Sequence, residues 1–280
     1  MPFAVQAADA LALVCGVPSL PGRHGGALGE DRHHDRSAGG SRDRISGIGG
    51  TSKLRPVRWA TFDVYGTLID WNAGIGGVLE RLYGAEDAPA HLRRYHELEP
   101  QVQAEEEFRS YAEVLTLTLE RLANEIGYGI PEGETGVLPK SLPDWPPFPE
   151  VPEALAELRR RGWSLALLSN TDRDLVAASQ RALGVPVDLA VVAEDVRSYK
   201  PAHAHWERFF ELTTADRDHH VHVGASLFHD VAPANELGLR SVWINRGGED
   251  AKAHGADARP DAELPDLSGL PDLLDELVPA

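Results

Sequence analysis

The sequence predicts an α/β protein with a Rossmann-like, doubly wound parallel sheet core and an inserted helical cap domain. From residue 56 onward, short apolar runs of strand length alternate with amphipathic stretches of helix length, as in a parallel sheet with right-handed crossovers. Residues 72–145 interrupt this alternation with a helical block. The chain has 280 residues, of which 42% are hydrophobic, and this is enough for one such core plus an insert.

The predicted elements follow one another along the chain. The apolar run before Asp63 predicts the first strand, and the apolar spacing within residues 112–126 predicts a cap helix. A cluster of prolines within residues 143–149 marks the return to the core. Further helices are predicted over residues 152–161, 172–183, 204–212 and 231–237, and further strands over residues 164–168, 189–193, 220–223 and 241–245.

The first 55 residues differ in composition from the rest. They are rich in Gly, Arg, His, Ser and Asp, and no amphipathic period persists. We therefore expect residues 1–55 to be a disordered extension. The core is assigned to residues 56–71 and 146–280, and the cap to residues 72–145.

Composition limits the possible partners. The net charge is −17, which argues against nucleic acid because phosphate binding needs a basic face. No stretch reaches the roughly 18 apolar residues of a membrane span, so no membrane partner is expected. The single cysteine, Cys15, excludes an intrachain disulfide and favours a reducing cytoplasm. A small anionic organic substrate would need local positive charge in its pocket.

Polar side chains follow four of the predicted strands. They are Asp63 and Thr67, Ser169 and Asn170, Lys200, and Asp230. The carboxyl ends of parallel strands meet at one crevice, so we expect these groups to share a site. There, Lys200 would lower the pKa of Asp63 and keep it ionised as a nucleophile. Asp230 could act as general base on water.

These motifs, in this order, resemble the haloacid dehalogenase superfamily over residues 58 to about 247. The resemblance implies that Asp63 is a covalent nucleophile and that Thr67 orients it. Phosphatases of that superfamily carry an aspartate two places after the nucleophile and paired acids in the last motif to hold magnesium. Here these positions are Tyr65 and Ala225, which leaves the site short of hard oxygen ligands for Mg²⁺.

The Asp-x-Tyr-Gly-Thr form is instead similar to the 2-haloacid dehalogenases, which place a halide-binding arginine early in the cap. Arg94 stands in a similar segment, and Leu98, four residues on, shares its helix face. The resemblance implies substrate binding by Tyr65, Leu98, Asn170 and Trp206, with Ser169 holding the substrate carboxylate. Trp206 occupies the position where that family usually carries a tyrosine.

The sequence thus predicts a hydrolase that removes halide from small 2-halo acids through an ester on Asp63, with no metal or organic cofactor. The alternatives are a Mg²⁺-dependent phosphatase of the same fold, a C–N cleaving relative of the azetidine-2-carboxylate type, and a catalytically decayed binding protein. Five histidines are expected on helix and loop surfaces rather than at a metal, namely His203, His205, His219, His220 and His222. The resemblance also implies a homodimer, because dimerisation through the cap is common in the similar family.

Overall fold

A computed structural model describes residues 56–105, 107–249 and 258–280. The expected disordered extension, residues 1–55, and Cys15 within it lie outside the described residues. The described part is built on one six-stranded sheet in the order β3-β2-β1-β4-β5-β6. Every neighbouring pair is parallel, and helices connect the successive strands from β1 to β5. The predicted α/β class is therefore confirmed.

The elements of the core and of the inserted block have the following bounds. The strands are β1 Arg58–Phe62, β2 Trp163–Ser169, β3 Leu189–Val192, β4 His220–Gly224, β5 Arg240–Ile244 and β6 Ala262–Leu264. The helices are α1 Trp71–Tyr83, α2 Ala88–Gln103, α3 Tyr111–Ile126, α4 Val137–Ser141, α5 Val151–Arg160, α6 Arg173–Leu183, α7 Ala193–Val196, α8 Ala204–Leu212, α9 Ala232–Glu236 and α10 Leu270–Leu277.

The strand order reverses direction at β1. The chain moves from β1 outward to β2 and β3, and then returns to β4 on the other side of β1. In register, Ala60 faces Leu165 on one side and Val221 on the other, and all three are fully buried. Ligands of open α/β sheets bind where the carboxyl ends of strands diverge at such a reversal. The fold therefore places its crevice at the ends of β1 and β4.

The block between β1 and α5 is helical, as predicted. Its longest amphipathic helix, α3, begins at a capping box in which Ser110 and Glu113 exchange hydrogen bonds, so two otherwise unsatisfied amide groups are paired. It ends at Gly127, whose φ of 74° is left-handed and favours glycine. Helix α2 packs beside it and carries Pro100 in its interior. Side chains of both helices, Glu99 of α2 and Tyr111 of α3 among them, line the cavity at the strand ends.

Several short elements were not predicted from the sequence. Strand β6 has only three residues, too few to show an alternation, and it is held by pairing with β5. Helix α10 buries Leu270 and Leu274, and α7 is a single turn after β3. A π-helix over Leu227–Val231 precedes α9. In the described ranges, no helix is both long and apolar enough to cross a membrane.

Candidate active site

Asp63 lies just past the carboxyl end of β1. Its backbone N–H donates to the carbonyl of Val223 on β4, 3.0 Å away, which extends the parallel pairing by one residue. The chain then turns at Gly66, whose φ is 92° and would strain a side-chain-bearing residue. This turn returns the hydroxyl of Thr67 to donate to Asp63 Oδ2 at 2.6 Å. Thr67 Oγ1 in turn accepts the N–H of Ala225 at 2.9 Å.

Lys200 bridges two carboxylates. Its ammonium Nζ lies 2.9 Å from Asp63 Oδ1 and 2.7 Å from Asp230 Oδ1, and the lysine side chain is 1% exposed. Burial raises the pKa of Asp63, and the positive charge of Lys200 opposes that rise. The charge of Lys200 does lower the pKa of Asp63, as expected. Burial has the larger effect, however, so the pKa of Asp63 is raised overall. Although burial disfavours the charged form of Lys200, the two carboxylates raise its pKa.

Asp230 sits in the π-helix that follows β4. Its Oδ2 accepts the N–H of Ser226 at 3.1 Å. The carboxyl lies directly over the backbone of Gly224, where a Cβ atom would overlap it. Burial opposes ionisation, but Lys200 and His222 together hold the pKa of Asp230 below its usual range.

A row of hydrogen bonds runs from Asp230 into the sheet. His222 Nε2 lies 3.4 Å from Asp230 Oδ1, and its Nδ1 lies 2.9 Å from the hydroxyl of Thr61. The same hydroxyl is 2.9 Å from Nε2 of His220. Because a carboxylate only accepts, His222 donates through Nε2 and accepts from Thr61 through Nδ1. Thr61 must then accept from His220, so each hydrogen bond in the row is donated toward Asp230.

This row corrects the expectation for the histidines. His205, His220 and His222 are fully buried, not on surfaces. His220 and His222 lie on β4, which is covered on both faces, and His205 lies on the buried face of α8. Burial lowers the pKa of His205 and of His220 to about 3. His203 and His219 do lie nearer the surface, paired with Glu236 and Asp216. In the described part of the chain, no group of three or more His, Cys, Asp or Glu side chains is placed to hold a metal ion.

Ser169, Asn170 and Tyr65 line the same cavity as Asp63. The hydroxyl of Ser169 is buried without a hydrogen-bond partner. The side-chain amide of Asn170 makes two hydrogen bonds to the backbone of Lys200. Its nitrogen donates to the carbonyl of Lys200, and its oxygen accepts the backbone N–H of Lys200 at 2.6 Å. Asn170 therefore positions Lys200. Tyr65 hydrogen-bonds Ser179 at 3.1 Å, and burial raises its pKa to about 12.

Three predicted side chains are not brought to the cavity. Arg94 pairs with Glu97 at 2.7 Å and with Glu125 at 2.6 Å, and its side chain is 40% exposed. Leu98 is packed into the hydrophobic core. Trp206 is fully buried in a separate cluster, edge-on to His222. The assignments of Arg94, Leu98 and Trp206 to the substrate site are therefore corrected.

The helix face explains why Arg94 is absent. The side chains of α2 that line the cavity are His96, Glu99, Pro100 and Gln103, spaced three, four and seven residues apart. At about 100° a residue they share one face, while Arg94 falls roughly 160° from His96 on the other. The sequence spacing correctly placed Arg94 on a helix that lines the cavity. The packing of α2, however, directs the Arg94 side chain away from the cavity, toward Glu125.

Arg246 is the guanidinium that lines the cavity. It follows β5 by two residues and lies over the ring of Phe148, 3.6 Å from the ring centre. Its Nη2 donates to Glu150 and to the carbonyl of Thr67 at 2.6 and 2.8 Å. Its Nε is buried without a hydrogen-bond partner. Asp63 and Ser169 were selected because they stand at the carboxyl ends of predicted strands. This strand-end rule would also have selected Arg246.

The cavity has a volume of about 830 Å³ and lies between the strand ends and α2. Its cap side carries Glu99, which is 3% exposed. Burial raises the pKa of Glu99 to about 7. His229 lines the core side, hydrogen-bonded to Ser226 at 3.1 Å, and burial lowers its pKa to about 4. The site thus combines a strand-end carboxylate, a bridging lysine and a guanidinium N–H without a partner.

Known proteins share this sequence pattern and this fold. The (S)-2-haloacid dehalogenase of Pseudomonas sp. (strain YL) is 26% identical over 223 residues, which are 78% of this chain and 95% of that protein. The crystal structure of an L-2-haloacid dehalogenase superposes with a TM-score of 0.71 at 20% identity, covering 79% of this chain and 99% of the other.

The structure of the L-2-haloacid dehalogenase from Xanthobacter autotrophicus with chloropropionic acid covalently bound has a TM-score of 0.67 at 18% identity, covering 78% of this chain and 98% of the other. At such identities the superpositions establish the fold. Residues 57–238 match the haloacid dehalogenase-like hydrolase family. Since that match spans more than half of the sequence, the chain belongs to the haloacid dehalogenase-like hydrolases.

Proposed function

We propose that this protein hydrolyses the carbon–halogen bond of small 2-halo acids through a covalent ester on Asp63. The observation that carries the proposal is the ammonium of Lys200 held between Asp63 and Asp230, at 2.9 and 2.7 Å. Ala225 stands where phosphatases of the superfamily carry one of the paired acids that hold magnesium. The proteins similar to this chain include (S)-2-haloacid dehalogenases, and this supports the same substrate class.

In the first step, a carboxylate oxygen of Asp63 attacks C2 of the substrate. A C–O bond forms, the C–halogen bond breaks, and halide leaves with the bonding electrons. Lys200 and Thr67 keep the carboxylate oriented by hydrogen bonds to its two oxygens. Orientation of this kind lowers the barrier, because the reacting atoms are held close to their geometry of attack.

In the second step, water attacks the side-chain carbonyl carbon of the ester on Asp63. The proposed base is Asp230, which accepts a proton as the water oxygen bonds to carbon. The bond between that carbon and the ester oxygen then breaks, and the proton held by Asp230 passes to the leaving alkoxide oxygen to give the 2-hydroxy acid. The second proton of the water is released to solvent as Asp63 returns to its carboxylate form. Lys200, within hydrogen-bond reach of both carboxyls, stabilises the negative charge that develops on the ester oxygen.

Arg246 and Ser169 are proposed to hold the anionic end of the substrate. Each has a buried donor atom without a partner at the cavity. A buried donor without a hydrogen-bond partner costs free energy. Binding of a carboxylate whose oxygens accept from both donors would therefore be favoured. Tyr65 forms part of the surrounding wall, and Asn170 contributes by positioning Lys200.

Halide release from 2-chloropropionate, with and without EDTA, tests the reaction in the wild type and in Asp63→Asn. We expect EDTA-insensitive release by the wild type and none by the variant. In ¹⁸O-labelled water, repeated turnover should label the Asp63 carboxylate, because water attacks its carbonyl carbon. Release equal in both proteins would refute the proposal. EDTA-sensitive hydrolysis of a phosphate ester instead would favour a phosphatase.

Further assignments are proposed on the same basis. We assign residues 56–71 and 146–280 to the core domain and residues 72–145 to the cap, because the helical block follows β1 and ends before α5. A cytoplasmic location and a homodimer formed through the cap are also proposed. Gel filtration with light scattering tests the dimer, and a monomer at micromolar concentration would contradict it.

A further inference from the structure

The cap side of the cavity is a wall of hydrogen-bond acceptors. Helix α2 presents His96, Glu99 and Gln103 to the cavity on one face. Glu99 is almost fully buried, and its side chain hydrogen-bonds two neutral groups. Gln103 Nε2 donates to its Oε1 at 3.2 Å, and Tyr111 also hydrogen-bonds it. Among the described residues, no cation pairs with this carboxyl.

His96 adds a second acceptor. Its Nε2 lies 2.7 Å from the side-chain oxygen of Asn72, and because an amide oxygen only accepts, Nε2 carries the proton. Its Nδ1 is then a bare acceptor, and it is buried without a partner. Pro100 lines the same cavity and has no N–H to give to the carbonyl of His96, four residues earlier. All three features leave acceptor capacity on one face of α2.

The cations of the cavity lie on its opposite side. Lys200 is occupied by Asp63 and Asp230, and Arg246 stands next to the strand ends, stacked on Phe148. The cavity therefore has its lysine and its arginine at the strand ends, beside Asp63 and Asp230, and acceptors without a cation on α2. Its volume of about 830 Å³ leaves room for a substrate that extends from one side to the other.

We propose that the α2 wall is a subsite for the ammonium group of an amino-bearing 2-halo acid, with Glu99 as the residue that accepts from it. The substrate would place its carboxylate at Arg246 and Ser169, its C2 at Asp63 and its amino group at Glu99. This inference rests on the proposed dehalogenation for its reacting carbon, but recognition of the amino group is a separate property of α2. An ammonium bonded to a buried carboxylate compensates a charge that is otherwise costly to bury.

The test compares ω-amino-2-chloro acids of three to six carbons with 2-chloroalkanoates in which a methyl group replaces the ammonium. Halide release gives kcat/KM for each pair in the wild type, Glu99→Gln and Glu97→Gln. The last variant makes the same charge change on the exposed side of α2, where Glu97 pairs with Arg94. Calorimetric binding of the same pairs to Asp63→Asn measures recognition without turnover.

For at least one chain length we expect kcat/KM for the ω-amino-2-chloro acid to exceed that for the matched 2-chloroalkanoate by about tenfold or more. This ratio corresponds to the free energy of about one charged hydrogen bond. That preference should fall to near unity in Glu99→Gln and persist in Glu97→Gln. No preference at any length, or a preference that survives Glu99→Gln, overturns the subsite. Preferential binding to Asp63→Asn without halide release from any compound would support the subsite while refuting the dehalogenation.

Discussion

Replacing Glu99 by glutamine should make the stability of the protein less dependent on pH. Glu99 is buried on α2, and its pKa in the folded protein is about 7 against an ordinary value of 4.5. Between these values the folded state holds a proton that the unfolded state has released. Stability therefore falls as the pH rises through this window, and it levels off above about pH 7. Glutamine has the same shape and does not ionise.

The size of the effect follows from the two pKa values. At about 1.4 kcal/mol for each pH unit between 4.5 and 7, the wild type loses about 3 kcal/mol that Glu99→Gln retains. Urea unfolding followed by tryptophan fluorescence, from about pH 4 to pH 8, measures the difference at each pH. Glu97→Gln on the exposed side of α2 is the control. A difference between Glu99→Gln and wild type that stays constant with pH would refute the reasoning.

Three further changes test the site. Lys200→Met leaves two buried carboxyls without their shared cation, and thermal unfolding should show a loss of about 3–5 kcal/mol; a loss below about 1 kcal/mol would contradict the bridge. Arg246→Gln removes the guanidinium Nε and should raise KM for 2-chloropropionate about tenfold or more, whereas an unchanged KM would exclude it from substrate binding. Gly224→Ala places a Cβ against Asp230 and should abolish halide release, while Gly77→Ala, which meets nothing within 4 Å, should retain it.

The strand-end rule accounts for most of what could be predicted of the site. It selected Asp63, Ser169 and Asp230 because the carboxyl ends of parallel strands must converge, whatever the details of packing. The same rule applies to Arg246 after β5, where the sequence analysis did not use it. Position along the chain is thus sufficient for residues attached directly to the sheet.

Residues on the cap depend on packing that spacing does not determine. The motif around Arg94 placed it on a cap helix, but the rotation of α2 is set by which of its side chains are buried, among them Tyr95, Leu98 and Val102. That burial turns Glu99 toward the cavity and Arg94 toward Glu125. For the histidines of β4, the error lay in expecting exposure for a strand whose two faces are both covered.

The single direction of the hydrogen-bond row through Thr61 also determines how the protein responds to acid. A proton added to His222 at Nδ1 would face the Thr61 hydroxyl, which could turn only toward the N–H of His220. Two donors would then oppose each other inside the sheet. The folded pKa of His220 is about 3, against about 6.5 when unfolded, so stability falls as the pH drops below about 6.5. Acid should therefore open the sheet at β1 and β4, where Asp63 is held, so activity and fold should be lost together.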